Sequence, residues 1–194
     1  MTSTLIQKNQ LGLIMALPGE SQGEFEKNKI SLHYCGIGKI NAAHKTMEMI
    51  LTHKYKAILN LGTAGSHKFS THSVVECTSY VQRDMDLSPL GMKRGVTPMD
   101  EIPGAIEGLK VTALELSGIC GTGDTFEVGP PKLECDLVDM EAYAMAKVCK
   151  KMNIPFYSIK YITDGSDHSA HNDWVANLKP ASKALLEIYL SHFK

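Results

Sequence analysis

The stretch VDMEAYAMAKVCKKMNIPFYSIKYITD, residues 138–164, decides the fold class. Between Asp139 and Met152, the residues Met140, Ala144 and Val148, then Lys151, fall on one side at helical spacing. Asn153 and Pro155 stop that helix. Phe156 to Ile162 follows as a continuous apolar run, the pattern of a strand buried on both faces. A helix leading by a short turn into a buried strand is the building unit of an α/β sheet.

The same alternation extends in both directions. Leu11–Leu17 reads as an apolar strand stopped by Pro18-Gly19, and Ser31–Cys35 as a second strand ending at Gly36. Lys39 to about Lys54 is helical, with Ala43, Met47, Ile50 and Leu51 on one face. Ala57–Leu61 reads as a strand closed by Gly62-Thr63-Ala64-Gly65, and Ser73–Val81 as another. Residues 83–108, rich in Gly, Pro, Met and Asp, are expected to be mostly loop. Leu109–Ile119 is a strand candidate followed by the turn Gly121-Thr122-Gly123. A final helix is expected from Asp173 to Phe193, with Trp174, Leu178, Ala181, Leu185 and Tyr189 at helical spacing. Together these predict one three-layer α/β domain over residues 1–194, with a central mixed sheet flanked by helices.

Composition bounds the function classes. The 194 residues carry 20 Lys+Arg against 21 Asp+Glu, a formal charge of −1, which gives no cationic excess for nucleic acid or a membrane surface. Hydrophobic residues make up 43% and charged residues 21%, which excludes intrinsic disorder. No apolar run approaches a membrane span. The opening MTSTLIQKNQ, with one Lys and no apolar block before Leu11, does not read as a secretory signal. Cys35, Cys77, Cys120, Cys135 and Cys149 are odd in number and widely spaced, so neither a disulfide framework nor a zinc site is expected. The expected compartment is the cytoplasm.

In open α/β sheets, ligands bind beyond the carboxyl ends of the strands. Gly36-Ile37-Gly38-Lys39 fails as a dinucleotide fingerprint because position 41 is Asn, and as a phosphate loop because His33 and Ile40 occupy the wrong places. No G-x-S-x-G elbow occurs. The acids are more informative: Glu20 follows the first strand, Glu141 lies in the first turn expected for a helix, and Asp164 and Asp167 follow YSIKYI. Each alone could be a surface acid or a helix cap. Acid–base cleavage, however, needs two separated carboxyl groups, and three acids at strand ends in a small chain supply them. Asp164, Asp167, His168 and His171 offer metal-ligand chemistry, but the two histidines are expected in a polar loop and read as solvated.

Five segments, GIGKINAA (36–43), NLGTAG (60–65), GTGDTF (121–126), VDMEAYAMAKVC (138–149) and ITDGSD (162–167), occur in the order of a known family. The chain resembles the nucleoside phosphorylase/nucleosidase superfamily, most of all the bacterial methylthioadenosine/S-adenosylhomocysteine nucleosidases. The resemblance implies roles by position. Glu141 accepts hydrogen bonds from the ribose hydroxyls and Met140 packs beside the sugar. Asp164 protonates the imidazole-side nitrogen of the purine, next to Thr163, which falls among the substrate-binding positions. Phe126 stacks on the base, Thr63 is the small hydroxyl residue near the sugar, and Glu20 positions the attacking water. It also implies a nucleoside as small-molecule partner, a homodimer, no metal and no cofactor. Cleaving an N-glycosidic bond needs a proton donor at the base, negative charge near the ribose and a positioned nucleophile, which these residues provide.

The chain departs from that family in several places. It is shorter than a typical member, and the segment after Gly95 lacks a helix that in the family helps form the dimer contact and the 5′ pocket. Lys160 stands where many members carry arginine, and Pro18-Gly19 replaces two glutamates. Arg83-Asp84-Met85-Asp86 keeps acids near the expected base-side region. The expected reaction is hydrolysis of a 5′-modified purine nucleoside. Its rivals are a phosphorylase of the same fold and a non-catalytic nucleoside-binding protein. Phosphate needs cationic ligands, and the loop MALPGES (15–21) has none. A binding protein would be free to lose the acids, which are all present.

Overall fold

A computed structural model describes residues 10–110, 114–167 and 169–193. The N-terminal reading, part of the strand expected at Leu109–Ile119, and His168 therefore lie wholly or partly outside the described residues. Among the described residues, eight strands form one mixed sheet. Four of them, β1 (Leu11–Met15), β2 (His33–Tyr34), β3 (Ala57–Gly65) and β8 (Phe156–Asp164), run parallel, with β1 between β2 and β3 and β3 between β1 and β8. β4 (Val74–Gln82) pairs antiparallel with β8 and with the short β5 (Ile106–Glu107), and parallel with β6 (Ser117–Thr122). β7 (Leu137–Asp139) pairs parallel with β6 and closes back antiparallel on β3 through Gly65 and Val138. The strands β3, β8, β4, β6 and β7 thus make a closed ring.

Period-two alternation sends successive side chains to opposite faces. In β1, Leu11, Leu13 and Met15 pack on one face with Leu59 and Leu61 of β3, while Ile14 and Ile58 pack on the other. α3 (Lys39–His53) and α4 (Ala142–Lys151) cover the second face through Ala42, Met49, Tyr143 and Met145. α5 (Ala170–His192) covers the first through Leu185 and Tyr189, with Phe25 of the one-turn α2 (Glu24–Lys27). This is the expected three-layer arrangement around a mixed sheet. No helix among the described residues is long and apolar enough to cross a membrane.

Several expected boundaries move, each for a physical reason. β3 does not close at Leu61 but runs to Gly65, because β8 pairs along its whole length, Gly62 with Lys160 and Thr63 with Tyr161. Gly121 and Thr122 belong to β6 rather than to a turn, held by β4 on one side and β7 on the other. That strand begins at Ser117, later than expected, where pairing with β4 begins. α4 starts at Ala142, not Asp139: Asp139 ends β7, and its carboxylate accepts the Ala142 N–H at 2.9 Å. Glu141 is therefore the residue ahead of the helix, in a non-helical conformation (φ −134°, ψ −41°). Three-residue β7 and the single turns α1 (Pro18–Ser21) and α2 are too short for any periodicity to announce. Residues 83–108 are irregular apart from a 3-10 turn at Ser88–Leu90 and β5.

Candidate active site

A cavity of about 300 Å³ opens where the ends of β1, β3, β7 and β8 meet the loop after β6. All seven residues singled out in the sequence line it: Glu20, Thr63, Phe126, Met140, Glu141, Thr163 and Asp164. The three acids are buried, Glu20 and Asp164 at 5% exposure and Glu141 at 7%, whereas Phe126 is 53% exposed.

Glu20 arrives from α1, which Pro18 begins at its first position immediately past β1. Its Oε2 accepts the N–H groups of Ala16 at 3.0 Å and Leu17 at 3.1 Å. Its Oε1 accepts the Thr63 N–H at 2.8 Å and the Thr63 hydroxyl at 2.9 Å. Thr63 Oγ1 in turn accepts the Trp174 indole N–H at 3.0 Å. The carboxylate thus fills a cradle of three backbone N–H groups, the kind of donor set that otherwise binds a free anion. Gly62 permits this approach, since a Cβ there would stand 3.1 Å from Glu20 Oε1 and 3.3 Å from Lys160 Nζ.

Asp164 is the last residue of β8. The Thr163 hydroxyl donates to its Oδ2 at 2.7 Å, and the Ser166 N–H donates to its Oδ1 at 2.9 Å. α5 secures the strand end through Asn177, whose side-chain amide donates to the Thr163 carbonyl at 2.8 Å.

Glu141 accepts the N–H of Gly38 at 2.9 Å, tying the Gly36–Lys39 loop to the start of α4. Burial first, and the negative Asp139 second, push its carboxyl up to about 8. Beneath it lies the ion pair of Lys160 Nζ and Asp139 Oδ2 at 2.9 Å, with side-chain exposures of 2% and 1%. Burial alone would raise the Asp139 carboxyl and lower the Lys160 amine. Each partner's charge overrides that and moves both the other way. The Thr122 hydroxyl also donates to Asp139 at 2.5 Å. Lys160 is thereby committed to Asp139.

Sequence reasoning gave no role to Arg83, Glu127, Ser166 or Trp174, which also line the cavity, and read His171, another lining residue, as a solvated loop histidine. Arg83 is buried, and its guanidinium donates to Thr125 Oγ1 at 3.1 Å and to the Thr125 carbonyl, and pairs with Glu127. It clamps the loop that carries Phe126. A single arginine in the acidic run RDMD was the one signal available. Of the acids and histidines considered for a metal, Asp167 accepts the Ser169 N–H at 2.8 Å, and His171 lies in the first turn of α5 beside Trp174 rather than in a loop; His168 lies outside the described residues. No group of three metal-binding side chains forms among the described residues.

A family model described as the phosphorylase superfamily matches residues 21–193, beginning just past Glu20. The 5′-methylthioadenosine/S-adenosylhomocysteine nucleosidase of Bacillus subtilis is 28% identical over 197 residues, covering 89% of this chain and 84% of its own length. The nucleosidase of the same name from a Marinomonas strain is 30% identical, covering 83% and 79%. Among solved structures, the Helicobacter pylori nucleosidase of that name, complexed with a pyrrolidine inhibitor, superposes with a TM-score of 0.85 at 22% identity, over 96% of this chain and 97% of the other. Futalosine hydrolase from the same organism gives a TM-score of 0.85 at 22% identity, over 98% of each. With its closed mixed ring, its helix-covered faces and this match across nearly the whole chain, the protein belongs to the phosphorylase superfamily.

Proposed function

We propose that this protein hydrolyses the N-glycosidic bond of a 5′-modified adenosine, methylthioadenosine or S-adenosylhomocysteine, releasing free base and a ribose derivative. The observation that carries the reading is the position of Glu20: its carboxylate occupies the cradle of N–H groups from Ala16, Leu17 and Thr63 that a phosphate nucleophile would need. Anion on anion is repulsive, and Lys160 is spent on Asp139. Arg83, a cation in the cavity wall, is spent on Glu127 and the Thr125 carbonyl. The nucleosidase and hydrolase names of the relatives agree.

In this reading Glu20 takes a proton from water as the water oxygen bonds to C1′ of the ribose. The C1′–N9 bond breaks, its electron pair goes to the purine, and Asp164 delivers its proton to N7. All four acceptor positions of Glu20 are filled, three of them by fixed backbone N–H groups. The Thr63 hydroxyl, which can rotate, is the bond that yields to water. Glu141 faces the sugar. As C1′ becomes cationic, the carboxylate form of this buried acid, with no change of its own protonation in the step, stabilises the developing charge. Phe126 and the half-exposed Ile37 at the cavity mouth offer apolar surface to the base and the 5′ group. The reading includes a single domain, a homodimer, as the resemblance implies, and a cytoplasmic setting, which the unpaired cysteines support.

The test is incubation with methylthioadenosine in phosphate-free buffer. Free adenine should appear, and Glu20→Gln should slow its release by about 10²-fold or more, the scale of a general base. Adenine release only after phosphate is added would make the protein a phosphorylase.

A further inference from the structure

Ser166 combines two unfavourable features in the cavity wall. The residue is 1% exposed, and its Oγ has no hydrogen-bond partner among the described residues, although a hydroxyl both donates and accepts. A buried polar group left unpaired is destabilising, and natural structures rarely keep one without a reason. Its backbone also lies at φ +52°, a left-handed conformation uncommon for serine. Two hydrogen bonds hold it there: its N–H donates to Asp164 Oδ1 at 2.9 Å, and its carbonyl accepts the Gly129 N–H at 2.7 Å. Strain of this kind persists where surrounding structure enforces it, and it gathers at functional sites.

The neighbourhood indicates what the hydroxyl meets. Ser166 lines the same cavity as Asp164. Gly65 lets the two crowd together: a Cβ on it would stand 2.3 Å from Ser166 Oγ and 2.6 Å from Asp164 Oδ1, so both oxygens border one point. On a purine, N7 and the substituent on carbon 6 lie side by side on one edge, and that substituent is an amino donor or an oxo acceptor. A carboxyl group addressing N7 therefore has a second polar group of its own turn beside position 6, and of the two hydroxyls there Thr163's is already donated to Asp164 while Ser166 Oγ is unpaired.

We propose that Ser166 Oγ hydrogen-bonds the substituent at position 6 of the purine and is a specificity-determining residue of the site. The inference rests on the reading of Asp164 as the proton donor to N7. A hydroxyl accepts from a 6-amino group or donates to a 6-oxo group by rotating its proton, so the site takes adenine and hypoxanthine alike. It discriminates against a ring with only hydrogen at carbon 6.

The test is calorimetric affinity for adenine, hypoxanthine and unsubstituted purine, measured on the unaltered protein, Ser166→Ala and Ser166→Gly. Glycine suits the left-handed backbone, so the second variant keeps the test valid if alanine strains the turn. Both variants should bind adenine and hypoxanthine about tenfold more weakly, the effect of one neutral hydrogen bond, and purine unchanged. Equal weakening for all three bases, no weakening for any, or no base binding by the unaltered protein would overturn the assignment. The hydrolase reading fails on a separate axis, absence of base release from methylthioadenosine, and base affinities remain readable in that case.

Discussion

Asp164 and Glu141 are both buried carboxyl groups on the same cavity, yet their surroundings ask different things of them. Asp164 is held by donors from its own turn, the Thr163 hydroxyl and the Ser166 N–H. Asn in its place keeps the shape and can hydrogen-bond a base but has no acidic proton to give. Asp164→Asn should therefore bind nucleoside near normally while its rate constant falls by about 10²–10⁴-fold. Near-normal turnover by the purified variant would remove Asp164 from the acid role. Glu141 instead couples the site to pH through stability. Its folded carboxyl is raised from 4.5 to about 8, so between those values the folded state binds more protons than the unfolded chain. The contribution of Glu141 to stability should be full below about pH 4.5 and decline as pH rises to about 8, by at most about 1.4 kcal/mol per pH unit, while depressed carboxyls such as Asp139 act in the opposite sense at lower pH. Glu141→Gln should flatten that decline. Denaturant midpoints measured at several pH values on both proteins check this, and parallel slopes would contradict it.

At the scale of elements, the site depends on two strands approaching more closely than side chains normally allow. β3 carries glycine at 62 and 65, opposite Lys160 and Asp164 of β8, with a register shift at Ala64/Gly65. Gly65→Ala would set a Cβ 2.6 Å from Asp164 Oδ1 and 2.3 Å from Ser166 Oγ. The variant should lose about 1–3 kcal/mol of stability, the usual range for overpacking, together with most of its activity. Unchanged melting and turnover would show that the approach is not needed. These glycines also explain what the sequence hid. NLGTAG and the Gly121-Thr122 pair look like turns to any rule that treats glycine as a breaker, but here glycine is what lets a strand pass close side chains, Glu20 and Lys160 at Gly62, Ser166 and Asp164 at Gly65, and Cys135 at Gly121. The long elements α3, α4, α5 and β8 were legible from apolar periodicity, but the buried faces of α3 and α4 were not: packing on the sheet turns α3 to bury Ala42, Thr46, Met49 and Ile50 with Leu51 outside, and α4 to bury Tyr143, Met145 and Cys149. The seven site residues were legible through motif resemblance, since apolar pattern alone carries no information about which acids meet. Arg83 and Ser166 were not, because their roles depend on contacts 40 or more residues away for Arg83, with Thr125, and on a local left-handed turn for Ser166.

Across the whole molecule, the two buried clusters on opposite faces of the sheet make a rigid frame, and the cavity sits at the strand ends where that frame stops. The frame itself does not choose a nucleophile. Its N–H cradle could hold a free anion, and this chain fills it with Glu20. The central claim is thus that water, and not phosphate, attacks C1′. The most direct measurement is mass spectrometry of the sugar product when methylthioadenosine is turned over in phosphate buffer made with heavy-oxygen water. The account predicts free methylthioribose carrying the heavy oxygen at C1′, at a rate independent of phosphate. A ribose 1-phosphate derivative, with no label from water at C1′, would contradict it.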